Sequence, residues 1–186
     1  MRPFAHPLAL LCLIVAALAP AACSDPVRDK RVAELGPEDP EGPSVNHRRG
    51  QDCLLCHDAE GGSKPEMAVA GTVFVDKSSG ADGAENVEIQ FVDANNGSPL
   101  QNPITFPSGN FFVEKAQWPR LTFPFKVRMK APGGNLVAMA STVNREGSCN
   151  FCHKPNPPEP YTELDRELAR RSTGQIYVSA TAQGGK

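Results

Sequence analysis

Two five-residue stretches, Cys53-Leu54-Leu55-Cys56-His57 and Cys149-Asn150-Phe151-Cys152-His153, are the parts of this 186-residue chain most able to do chemistry. Both read C-x-x-C-H, the spacing at which a haem is attached covalently. In a helical turn, two cysteines three apart reach the two vinyl groups on one edge of a porphyrin. The histidine that follows at once arrives beneath the iron as its proximal ligand. The pair therefore predicts two haem c groups, with Cys53, Cys56, Cys149 and Cys152 as thioether anchors and His57 and His153 as proximal iron ligands. Two accidental copies are very improbable in a chain with only six cysteines and four histidines.

Two other chemistries use C-x-x-C. Four thiolates from two such pairs can close one tetrahedral zinc site, but the histidine directly after each pair and the signs of export argue against it. A thioredoxin-like redox pair needs a βαβ setting, which the pattern lacks.

The remaining cysteines agree with export. Cys12 lies within the apolar run of residues 8–18, which follows a single charge at Arg2 and is too short to span a membrane. Residues 1–22 read as a signal peptide, with Ala19-Pro20-Ala21 as one candidate cleavage site. Ala21-Ala22-Cys23 resembles a bacterial lipoprotein box, although Pro20 stands where that box prefers a branched aliphatic residue. Cys23 is then the lipidation candidate, and lipid the link to a membrane. The four mature cysteines all belong to the C-x-x-C-H motifs, leaving none for a disulfide.

The sixth iron ligands are a matter of counting. His6 lies in the leader, so His47 alone is left as a distal histidine. At most one haem can be bis-histidine. The other takes methionine, another weak ligand or an open position. Met139 is the first methionine candidate, because its strand leads towards Cys149 between the small residues Ala138 and Ala140. Met67, linking the first motif to the first strand, comes second, and Met129 sits in an alternation that reads as core. Arg48 and Arg49 are candidates to pair with haem propionates, and Gly50 to let the chain pass close to the porphyrin.

The elements that must position these residues are strands. From residue 68 the apolar period becomes two. Val69, Val73 and Val75 share a parity, Val87, Ile89 and Phe91 alternate with Glu88 and Gln90, and Phe125, Val127 and Met129 alternate with Lys126 and Arg128. Clusters of Gly, Asn, Asp, Ser and Pro separate them. A mainly β fold is expected, a small antiparallel β-sandwich over residues 68–143. It is flanked by haem-binding segments at 47–67 and 144–160. Residues 23–46, rich in charge and proline, read as an extended tether. Residues 161–186 read as a short helix over 162–171, a last strand over 175–179 and a tail. Counting 100–106 as a strand puts six between the motifs. Six return the chain to the end of the sandwich where it began, and so bring the two motifs together. Five would separate them.

Gly71-Thr72-Val73-Phe74-Val75, Gly83-Ala84-Glu85-Asn86-Val87-Glu88-Ile89 and Ser108-Gly109-Asn110-Phe111-Phe112-Val113 resemble the succession of strands in the carboxypeptidase-regulatory, transthyretin-like sandwich. The resemblance covers the middle two-fifths of the chain and implies a structural or binding module. With haem motifs on both flanks, the whole resembles a group of exported dihaem c-type cytochromes of bacteria. That likeness implies electron transfer with redox partner proteins, in the periplasm or at the outer membrane or cell surface. A haem enzyme with an open iron site, of the peroxidase kind, is the alternative. A surface-binding sandwich with haem as redox sensor is a third. The formal charge of −2 leaves no basic footprint for nucleic acid.

Overall fold

A computed structural model describes residues 25–38, 42–77, 82–154 and 172–178. The chain divides after Gly36 into two compact units. In the described part of the first, helix α1 spans Pro26–Glu34. This corrects the extended tether. Asp25 accepts from the backbone N–H groups of Val27 and Arg28 at 3.0 and 3.1 Å, and Pro26 supplies a preset φ in the first turn. Lys30 and Glu34 pair one turn apart at 3.9 Å. The helix buries no residue, so local signals alone account for it.

The second unit is mainly β. Its strands are β1 (Met67–Phe74), β2 (Glu88–Asp93), β3 (Pro99–Gln101), β4 (Asn110–Glu114), β5 (Phe125–Lys130), β6 (Leu136–Ala138) and β7 (Ile176–Tyr177). They form a three-stranded sheet, β4-β1-β7, and a four-stranded sheet, β3-β2-β5-β6, consistent with a small β-sandwich. Val87, Ile89 and Phe91 from one sheet meet Val69, Val73, Phe111 and Val113 from the other in a single core. Phe91 sits at its centre. Its ring lies 5.4 Å from Phe125, edge-on, 5.7 Å from Trp118 and 6.4 Å from Phe111.

Three expectations change. The strand expected to carry Met139 is only β6, which ends one residue before it, with a further bridge from Val143 back to Phe125. The sheets are not wholly antiparallel, since β7 runs parallel to β1 through Val73–Ile176 and Phe74–Tyr177. The third change concerns β1 itself, which is buried at all eight positions rather than on one parity, while Val75 is exposed. The reason is that two one-turn helices, α2 (Leu54–His57) and α3 (Cys149–Cys152), pack against β1. They hold the two C-x-x-C-H motifs. The helix expected over 162–171 and the leader with Cys23 lie outside the described residues.

Candidate functional site

The two motifs lie side by side on β1, as a six-strand path between them requires. The second reaches β1 as an added strand. Ala70 donates its N–H to the Gly147 carbonyl at 3.1 Å and forms a parallel bridge with Ser148. The main chain then turns into α3, and the Asn150 side chain takes over. Its Oδ1 accepts the Thr72 N–H at 3.2 Å, while Nδ2 donates to Thr72 Oγ1 at 3.0 Å and to the Gln51 carbonyl at 2.7 Å. One amide thus ties the second motif both to the strand and to the lead-in of the first. Gly71 is required here, because a Cβ would stand 2.7 Å from both Cys149 Cβ and the Phe111 ring.

Thr72 is the hub. Its Oγ1 accepts the Gly50 N–H at 2.9 Å and donates to Asn110 Oδ1 at 2.8 Å, besides accepting from Asn150. Asn110 Nδ2 then donates to the carbonyls of Val45 and His47 at 3.1 and 2.9 Å. Thr72, Asn110 and Asn150 are all buried, and each side-chain donor and acceptor among them is used. Alternation along β1 puts Thr72 on the outward parity and the x positions of C-x-x-C-H are free by definition, so nothing local in the sequence marks this network.

The histidines share one arrangement. His57 Nδ1 meets the Pro65 carbonyl at 2.8 Å, and His153 Nδ1 meets the Gly174 carbonyl at 2.9 Å with Thr173 Oγ1 at 3.0 Å. His47 Nδ1 is hydrogen-bonded to the Ser44 carbonyl. A carbonyl only accepts, so each Nδ1 is the donor there, which in a neutral imidazole leaves the Nε2 lone pair for a metal. The His47 and His57 rings lie 5.8 Å apart between centroids. His47 and His57 would hold one iron, and His153 a second, with the cysteines beside them as thioether anchors, were haem bound.

The methionines fare differently. Met129 is core, as its alternation indicates. Met139 follows β6 on the four-stranded sheet, its N–H bonded to the Val127 carbonyl, whereas His153 stands beside the three-stranded sheet. Met67 opens β1, two residues beyond the carbonyl that holds His57. Arg48 Nη1 donates to Gln51 Oε1 at 3.0 Å, and Arg49 is exposed. Gly50 has φ of +75° and faces the Phe74 ring, so the close approach it permits is to Phe74.

Burial pushes the Cys53 thiol up to about 12, with the Asp52 charge adding to it. Cys149 is pushed up to about 12 by burial first and by Cys53 second, which places the two sulfurs in each other's field. No protein-family model matches the chain, and neither the curated proteins nor the solved structures yield a significant match.

Proposed function

We propose that this chain is an exported dihaem c-type cytochrome that passes single electrons between redox partner proteins in a bacterial cell envelope, anchored by lipid at Cys23. The observation that carries the reading is the common setting of His47, His57 and His153. Each has its Nδ1 proton held by a backbone carbonyl, beside two C-x-x-C pairs that lie together. Bound haem would supply the one-electron iron chemistry. The chain's own work is to anchor each porphyrin through two thioethers, present Nε2 of a fixed tautomer, and keep the pair on one rigid strand.

Haem content tests this. The chain is produced in a host with haem-attachment machinery, and its mass and pyridine haemochrome are measured. Two covalent haems per chain are expected, with a reversible redox titration. A mature chain that carries zinc or no haem would falsify the proposal. Enzyme chemistry at an open iron is a different outcome, read as a high-spin haem that binds carbon monoxide and turns over peroxide.

A further inference from the structure

The loop that carries His47 is clamped from outside by the turn that leads into β4. Ser108 N–H reaches Asn46 Oδ1 at 3.3 Å, Ser108 Oγ reaches the Val45 carbonyl at 3.4 Å, and Asn110 Nδ2 holds the carbonyls of Val45 and His47 itself. These partners are more than 60 residues apart in sequence. Within the loop, Arg48 has φ of +50° and Gly50 of +75°, so the backbone reverses sharply just after His47. The Gly50 N–H is then pinned to Thr72 Oγ1. The backbone of His47 is thus fixed from both sides, by Asn110 before the reversal and by Thr72 after it. Asn110 and Thr72 are bonded to each other.

We propose that Asn110 is a positioning residue for the first haem, holding His47 opposite His57 and so setting that iron's sixth ligand. The inference rests on the haem reading above. Asn110 touches neither imidazole. It acts through the His47 carbonyl, and its short amide is what a buried site with two acceptors on one side and a hydroxyl donor on the other requires. Losing both N–H donors leaves two carbonyls without their buried partner and frees the loop to swing the imidazole away. This gives the Ser108-Gly109-Asn110 turn a part in the site beyond closing a sandwich hairpin.

The test is Asn110→Asp in the full, haem-loaded chain. It keeps the shape and the acceptor for the Thr72 hydroxyl but removes both N–H donors. Electron paramagnetic resonance, carbon monoxide binding and the midpoint potential of each haem are read against wild type. Val113→Ala, a cavity in the same strand facing the core, is the control for lost stability alone. In Asn110→Asp, the high-spin, carbon-monoxide-binding population of the first haem rises about tenfold or more. Its potential moves while that of the second haem stays, and added imidazole restores the low-spin signal. Val113→Ala lowers the unfolding midpoint and leaves the spectra alone. If Asn110→Asp does not accumulate, Asn110→Ser is read by the same criteria. An unchanged bis-imidazole signal in the Asn110 variant overturns the proposal, as does the same spectral change in Val113→Ala. A haem-loaded wild type whose first iron is not bis-imidazole overturns it while leaving the haem reading intact. A wild type without haem overturns the functional reading itself.

Discussion

The two C-x-x-C-H turns share five-residue spacing and a strand, but their surroundings are unequal. In the first, Leu55 and His57 are buried, the ring is held by a carbonyl only eight residues away, and a second imidazole stands 5.8 Å off. In the second, Phe151 and Cys152 are exposed, Lys154 Nζ lies 5.2 Å over the Phe151 ring, and His153 depends on Thr173 and Gly174 from far along the chain. The same five-residue motif is thus set once inside the fold and once at its rim. On the proposed reading the enclosed, bis-histidine haem and the exposed one have different potentials, because axial ligand and solvent access both tune an iron. Electrons then have a preferred direction inside one small protein.

Removing one side of the comparison gives the largest effect. Cys53→Ala with Cys56→Ala halves the covalent haem per chain, and the remaining spectrum is that of the exposed site alone. Haemochrome content and mass check it, and a chain that still carries two haems defeats the assignment. His47→Met tests the inequality directly. Methionine raises a haem's potential relative to histidine, so the first haem should move up by on the order of 100 mV, a fraction of the ~0.8 V that axial ligands span. A redox titration in which both potentials stay put would remove His47 from the iron.

The next two changes strike what the regions share. Asn150→Leu leaves the Thr72 N–H and the Gln51 carbonyl without their buried partner and should cost about 2–4 kcal/mol, read from the urea midpoint. Gly71→Ala forces a methyl between Cys149 and the Phe111 ring. It should cost about 1–3 kcal/mol by overpacking, with the loss falling on the second motif's attachment. A neutral result for either would mean that the motifs are not held together through β1.

How much of this was legible in the sequence follows from how local each cause is. The candidate anchors and proximal histidines are written in five consecutive residues, and the alternation of Val87, Ile89 and Phe91 is likewise local. His47 follows by counting, as the histidine outside both motifs once His6 is read as part of a leader. The helix at Pro26–Glu34 was also written locally, in the Asp25-Pro26 start, and was masked by the density of proline and charge around it. The two-sided burial of β1 is different in kind. It exists because Gly147 to Asn150 and the loop before Cys53 return to the strand, and Asn150 bonds Thr72 across 78 positions. No window of sequence carries that. The place of Met139, next to β6 on the four-stranded sheet, is likewise set by the pairing of β6 with β5 and not by its chain distance from Cys149.

The smallest prediction concerns a further respect in which the two regions are alike. The first cysteine of each motif is partly exposed as a residue, but withdrawal of its sulfur from water raises both thiols from 9.0 to about 12. In a chain without haem, the unfolded state begins to lose these protons near pH 9, while the folded state keeps them until about pH 12. The folded state therefore binds more protons across that window, and stability falls as pH rises through it. Below pH 9 the contribution is fully present. A thioether has no proton to lose, so haem attachment removes this dependence from both sites at once. Urea midpoints at about pH 7.5, 9 and 10.5 should accordingly fall more steeply for the haem-free chain than for the loaded one. The rest of the chain is common to both forms, so the difference between the two slopes reads the cysteines. Parallel slopes would mean that the Cys53 and Cys149 thiols are not withdrawn from water.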